Sequence, residues 1–80
     1  MPAIPWYAKA LRAYACLREA GDPEQLAFAR GYLEQAIANS SGRAPPEWSD
    51  ALKLLATDPA SAEAFVLRGF GRVFEAWERG

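Results

Sequence analysis

Residues 58–77 read DPASAEAFVLRGFGRVFEAW, the longest amphipathic pattern in the chain. At 100° per residue its apolar side chains fall on one broad side, while arginine and glutamate occupy the other. Asp58 can cap the first turn, and Pro59 suits the first helical position because an N–H there would have no partner within the helix. The pattern predicts a long helix over residues 59–78.

The apolar side of this predicted helix is wide. Its centre is formed by Phe65, Val66, Phe70, Val73 and Trp77. Leu67 and Phe74 project from its flank, so the buried sector would have to contact more than one neighbouring helix. Gly69 lies on the apolar side, where a missing side chain favours close approach of a partner helix. The alternative is a hinge at Gly69-Phe70-Gly71.

Prolines and capping residues divide the rest of the chain into three further helices. We expect these helices at about 5–20, 23–38 and 46–56, separated by a Gly-Asp-Pro turn and by a polar loop that contains glycine and two prolines. No alternating apolar and polar run predicts a strand. The predicted fold is all-α, a compact bundle of four helices, mainly antiparallel, with the C-terminal helix longest and residues 1–80 in a single domain.

Helical periodicity also predicts which side of each shorter helix is buried. The predicted apolar positions are Trp6, Ala10, Tyr14 and Leu17, with Tyr7 and Leu11 beside them, in the first helix; Leu26, Ala29, Leu33, Ala36 and Ile37 in the second; and Trp48, Leu52 and Leu55, with Leu54 beside them, in the third. Cys16 falls among charged residues on the polar side of the first helix.

Composition excludes several functional classes. The hydrophobic fraction is 51%, which is typical of a folded globular protein. Nine Lys and Arg balance ten Asp and Glu, a net charge of −1 that argues against nucleic-acid binding. No apolar run approaches the ~20 residues that span a membrane. A lone cysteine and the lack of a secretory pattern at the N-terminus indicate a reducing, cytoplasmic setting.

The sequence offers no catalytic, cofactor-binding or metal-binding set. It contains no histidine, the commonest general base and metal ligand, and it has no glycine-rich phosphate loop or paired cysteines. Its acidic residues fall at caps and on polar faces, with Glu47 in a first turn, so each has a structural explanation. We therefore expect a protein that is not an enzyme.

Residues 58–65, followed by Gly69, carry an Ala-Glu-Ala-aromatic run. This run of residues resembles the first helix of a tetratricopeptide repeat. A repeat of that family would recur with a period of about 34 residues, and none is visible. We interpret the likeness as the chemistry of helical-hairpin packing and assign the chain to no family.

Aromatic and arginine side chains outside the predicted core indicate a function in binding. Phe28 and Tyr32 lie off the apolar side of the second helix. They could pack within the fold or contact another chain. The predicted partner-binding residues are Phe28, Tyr32, Arg68, Arg72, Phe74 and Arg79. Such residue types are enriched where binding energy concentrates. They predict a small non-catalytic protein-binding module, an adaptor, regulator or inhibitor of a larger protein.

Three alternatives stay open at this point. The three arginines of the last helix could form an ordinary solvated face, with Arg72 and Arg79 paired to Glu75, or an anchor for an acidic surface or phosphate. The surplus apolar surface could be buried in a homodimer. The chain could also be a small-ligand-binding or accessory domain of an enzyme system, with a pocket lined by Tyr7, Tyr14 and Trp48.

Overall fold

A computed structural model describes residues 5–19 and 21–79. Each of its four helices begins at a proline: α1 Pro5–Leu17, α2 Pro23–Ala38, α3 Pro46–Leu54 and α4 Pro59–Arg79. The all-α prediction is confirmed, and α4 is the longest helix with 21 residues. Helices α1 and α3 end earlier than predicted, and residue 20, where the first helix was expected to end, lies outside the described residues.

The helices pack as two hairpins. Helix α1 lies mainly against α2 and α3 mainly against α4, with smaller contacts from α1 to α4 and from α2 to α3. Because the connections within each hairpin are short, its two helices run antiparallel. Helix α4 contacts both α1 and α3, as the width of its apolar side predicted.

The core joins all four helices. Its buried apolar side chains are Trp6, Ala10, Ala13, Leu17, Ala29, Leu33, Ala36, Trp48, Ala51, Leu55, Ala62, Val66, Phe70 and Val73. Alanine occupies six of these positions. Two differences from the prediction follow from this: Ala13 and Ala51 are buried, while the larger Tyr14 and Leu52 are only half-buried. Small residues take the closest points of helix contact because they let the backbones approach.

Trp48 joins α3 to α4 at the centre of the core. Its side chain is completely buried, and its indole Nε1–H donates to the carbonyl of Val66 at 3.1 Å. Gly69 lies against the same ring, so the expected close approach of a partner helix is confirmed. Helix α4 continues unbroken through Gly69 and Gly71, and no interruption marks a hinge there.

The caps form at the predicted positions. Asp22 Oδ1 accepts from the backbone N–H of Glu24 at 2.9 Å, and Asp58 Oδ1 accepts from the backbone N–H of Ser61 at 3.2 Å. Each carboxylate satisfies a helix N–H that has no partner within the helix. Among residues 5–19 and 21–79, no helix combines the length and apolar character needed to cross a membrane.

Candidate functional site

A seam of aromatic rings runs along the contact between α1 and α4. The Tyr7 ring lies 5.3 Å from that of Phe70, 5.9 Å from that of Phe74 and 5.2 Å from that of Trp77, measured between centroids. Tyr14 meets Phe70 from the other side at 6.0 Å. Most of these pairs are edge-to-face, a geometry that aromatic quadrupoles favour. The seam therefore fixes the positions of α1 and α4 along this side of the bundle.

Three large apolar side chains extend this seam into solvent. Leu11 is 47% exposed, Leu67 53% and Phe74 47%. Leu11 lies four residues after Tyr7 on α1, and Leu67 lies seven residues before Phe74 on α4, so each shares a helix side with seam residues. We define the α1–α4 face as Tyr7, Leu11, Tyr14, Leu67, Phe70 and Phe74.

The exposure of Leu67 and Phe74 corrects the expectation of a wide buried sector on α4. Helix α1 reaches that flank but covers only part of it, since Phe74 contacts Tyr7 and is still 47% exposed. In the described part of the chain, the backbones of α2 and α4 do not approach one another closely. Among the described residues, this flank is one apolar surface that the fold leaves open.

The two candidate residues on α2 have different environments. Phe28 is 45% exposed. Tyr32 is half-buried against the core, with Lys9 Nζ 5.5 Å and Arg12 Cζ 5.9 Å from its ring centroid. These cations of α1 cover its face through cation–π contacts. Tyr32 thus packs within the fold, and the structure does not bring Phe28 together with Phe74.

The three arginines of the last helix do not form one uniform solvated face. Arg72 Nε donates to Glu47 Oε2 across to α3, although its side chain is 61% exposed. This ion pair replaces the predicted pairing of Arg72 with Glu75, which the described residues do not show. The Arg68 guanidinium lies 5.3 Å from the centroid of Phe65. Arg79 is exposed in the last turn of α4.

Glu47 is a buried acid that the sequence placed simply in a first turn. It is 7% exposed. Burial raises the pKa of its carboxyl, but the hydrogen bond from Arg72, its own backbone N–H and the charges of Arg72 and Arg68 together bring the pKa below its usual value. Glu47 therefore stays ionised at neutral pH and holds Arg72 in place. Its Oε1 has no hydrogen-bond partner among the described residues.

A groove of about 320 Å³ opens at one end of the bundle. We call it the Trp6–Trp77 groove; its lining residues are Trp6, Arg43, Ala44, Pro45, Pro46, Arg72, Val73, Ala76 and Trp77. The expected pocket lined by Tyr7, Tyr14 and Trp48 is not formed. Trp48 is completely buried, and the two tyrosines pack against Phe70.

The surroundings of Cys16 are less polar than its position on the first helix predicted. It is half-buried and packs against the core, and burial raises the pKa of its thiol. A thiol with a raised pKa is a poor nucleophile at neutral pH because little of it is thiolate. Within residues 5–19 and 21–79, no group of three His, Cys, Asp or Glu side chains is placed to hold a metal ion.

The α1–α4 face and the Trp6–Trp77 groove are the two surfaces on which a binding function could rest. The first is open and apolar, and the second is concave and lined by two arginines. Comparisons of the chain with protein-family models, with curated proteins and with solved structures give no match.

Proposed function

We propose that this chain is a small non-catalytic protein-binding module that docks through the α1–α4 face. The observation that carries the proposal is that Phe74, which packs against Tyr7 of the aromatic seam, is about half exposed, with exposed Leu11 and Leu67 on the same helix sides as seam residues. Single exposed apolar residues are normal on protein surfaces, whereas contiguous apolar patches mark interaction sites. The rings of Tyr7 and Trp77 pack against Phe74 and restrain its side chain, which lowers the entropy lost on binding.

The shape of the face favours an amphipathic helix as the docked element. Along α1 the face presents positions 7, 11 and 14, and along α4 it presents positions 67, 70 and 74. Both rows have the alternating three- and four-residue spacing of one helix side, so two apolar rows line the α1–α4 junction. A third helix laid along that junction would place its own apolar side against both rows.

Residue chemistry supports a role without catalysis. The chain contains no histidine, and its buried acid, Glu47, is bound to Arg72. Cys16 has a raised thiol pKa and no base beside it in the sequence to activate it. The same free thiol favours a reducing, cytoplasmic setting as part of this proposal.

Site-specific photo-crosslinking in native cells tests the docking surface directly. A benzoylphenylalanine replaces Leu11 or Leu67 in separate variants, and Phe28, equally exposed on α2, provides the matched control position. We expect one partner to be captured from positions 11 and 67 and lost when Phe74→Ser is added. Capture from position 28 alone, or capture that Phe74→Ser leaves unchanged, would reject the α1–α4 face as the docking surface.

A homodimer through the same face is the second candidate, and Gly71 favours it. Gly71 is exposed on α4 between Leu67 and Phe74, and apart from its chain neighbours and the backbone of its own helix no described atom lies within 4 Å of the place where its Cβ would be. A glycine inside a helix costs roughly 0.5–1 kcal/mol relative to alanine, and packing within the chain does not require this one. An absent side chain there would let a second α4 approach closely.

Sedimentation equilibrium across a wide concentration range separates the two candidates. A homodimer predicts a concentration-dependent mass that Leu67→Gln lowers and that Phe28→Ser leaves unchanged. A monomeric mass at every concentration, with the helical circular dichroism retained, would reject the dimer. The docked helix would then belong to another protein.

A further inference from the structure

The Trp6–Trp77 groove lies where three separate parts of the chain meet. Trp6 comes from the start of α1, Trp77 from the end of α4, and Pro45 and Pro46 from the junction of the long loop with α3. Its volume of about 320 Å³ is at the lower end of the range for small-molecule sites, roughly 300–1,000 Å³. The groove shares no residue with the α1–α4 face and is a separate candidate site.

The apolar walls of the groove are held by the core behind them. Trp6 is 7% exposed, and its ring packs edge-on against Trp48 at 5.8 Å and against Tyr7 at 6.4 Å. Pro45 is also buried, and its ring has no rotatable side chain. Indole and proline rings form flat, rigid surfaces, so this wall is suited to a flat apolar or aromatic group without rearrangement.

Among the described residues that line the groove, the charged side chains are Arg43 and Arg72. The charge of Arg72 is partly balanced by Glu47, with which it forms an ion pair. The basic lining contrasts with the net charge of −1 of the whole chain. Arg72 uses its Nε–H on Glu47, which holds the guanidinium while its two terminal amino groups keep four further N–H donors. Guanidinium donors match carboxylate geometry better than any other side chain does.

A tight turn fixes the backbone of the second arginine, Arg43, whose side chain is exposed. The N–H of Arg43 donates to the carbonyl of Ser40 at 3.1 Å and closes a tight turn through Ser41 and Gly42, both at positive φ. Arg43 is therefore the last residue of a defined turn and does not belong to an extended linker. Cations from the loop and from α4 thus converge on one apolar groove.

We propose that the Trp6–Trp77 groove binds a carboxylate carried on a flat apolar or aromatic group. The indole and proline walls hold the apolar part, and Arg43 and Arg72 hold the carboxylate. Two sources share this chemistry: a free aromatic acid, and the C-terminal carboxylate of a peptide that ends in an aromatic residue.

An NMR titration of the full chain with 3-phenylpropionate tests the proposal, with 3-phenylpropionamide as the uncharged analogue. We expect amide shifts in residues 43–47 and 72–77 and binding of the amide weaker by about tenfold or more, because hydrogen bonds to a charged group are lost. Arg43→Gln should weaken binding of the acid by about the same factor. Arg30→Gln, an exposed arginine of α2 outside the groove, should leave it unchanged.

A short peptide ending in phenylalanine, with a free or an amidated C-terminus, distinguishes the two sources. If the free-acid peptide binds more tightly than 3-phenylpropionate, the ligand is a chain terminus; if it binds more weakly, the ligand is a free acid. Absence of shifts at millimolar acid would overturn the proposal. So would equal binding of acid and amide, or an Arg43→Gln variant that binds like the natural chain.

Discussion

The indole ring of Trp48 lies against Gly69, where α3 approaches α4 too closely for a side chain. A Cβ built on Gly69 would lie 2.5 Å from Trp48 Cδ1 and 2.9 Å from Pro45 Cγ. The ring cannot move away freely because it is completely buried and its Nε1–H is bound to the Val66 carbonyl. The pairing of these two residues therefore sets the distance between α3 and α4.

Adding one methyl group at this contact should destabilise the protein. Overpacking a core usually costs about 1–3 kcal/mol, and alanine gains roughly 1 kcal/mol over glycine inside a helix. We therefore expect Gly69→Ala to lower the free energy of unfolding by up to about 2 kcal/mol. Gly71→Ala is the matched control because its Cβ would meet open space, and it should stabilise the chain by about 0.5–1 kcal/mol. Urea denaturation measures both, and equal stabilisation by the two variants would contradict the close contact.

Substitutions at Arg72 and at Glu47, the two partners of the ion pair between α4 and α3, should lower the stability of the protein by different amounts. Arg72→Ala leaves a buried carboxylate without its counter-charge, and we expect a loss of about 1–3 kcal/mol, moderated because the Arg72 side chain is 61% exposed and partly screened by water. Glu47→Gln removes the buried charge but keeps an acceptor, so its loss should be smaller. Arg79→Ala, on an exposed residue, should be close to neutral. Urea denaturation of the three variants at pH 7 would contradict this account if Glu47→Gln lost the most.

The helices could be predicted from the sequence because their signals are local. Each begins at a proline, two have an aspartate cap, and the apolar spacing follows the helical period. Burial of alanines such as Ala13 and Ala51 was missed, because periodicity gives most weight to large side chains whereas helices meet most closely at small ones.

The candidate sites could be predicted only in part because they depend on distant residues. Phe28 and Phe74 were among the predicted partner-binding residues, and both are about half exposed, although Phe74 was also expected to belong to the buried sector of α4. The exposure of Leu67 depends on how α1 packs against α4, which no local pattern specifies. Glu47 and Arg72 are separated by 25 positions, and the groove brings together both ends of the described chain and a loop. None of these relationships has a signal within one helix.

The stability of the fold should decrease as the pH falls below about 4.3, the usual pKa of a glutamate. The pKa of Glu47 is lower in the folded protein than in the unfolded chain. Its stabilising contribution is therefore complete above the unfolded-state pKa and is lost as the pH falls through the folded-state pKa. Glu47→Gln should flatten this dependence in urea denaturations performed across the acidic range.

Protonation of Asp58 is a second, independent cause of the decrease in stability at low pH. Hydrogen bonds from the hydroxyl and backbone N–H of Ser61 lower the pKa of its carboxyl. Asp58→Asn should flatten part of the acid dependence as well, and the two variants combined should flatten more than either alone. An acid profile that neither substitution changes would contradict the assignment of these carboxylates.

The Cys16 thiol should react slowly in the folded protein. Burial raises its pKa and its side chain packs against the core, so both thiolate fraction and access are reduced. We expect iodoacetamide to alkylate it more slowly at pH 7.5 in buffer than in urea at the same pH. Equal rates in the two conditions would show that the side chain is freely accessible.

Ser40 supports the turn that carries Arg43, so its hydroxyl should matter for both stability and the proposed groove. It is 1% exposed; its Oγ–H donates to the Ile37 carbonyl at 2.8 Å, and its Oγ accepts from the Ala44 N–H at 3.1 Å. Ser40→Ala leaves the Ala44 N–H without its acceptor, at a cost of about 1–3 kcal/mol, while the Ile37 carbonyl still accepts from the backbone N–H of Ser40. Urea denaturation measures this loss, and exposed Ser49→Ala is the control.

The Ser40→Ala variant also tests whether the effect on the turn is larger than the effect on the whole fold. Hydrogen exchange of the Ala44 amide should accelerate in Ser40→Ala by more than the global loss of stability accounts for, because the amide loses its own acceptor. Since Arg43 leaves this turn, binding of 3-phenylpropionate should weaken along with the faster exchange. Unchanged exchange at Ala44 would show that the Ser40 hydroxyl does not hold the loop, and the placement of Arg43 would then need another cause.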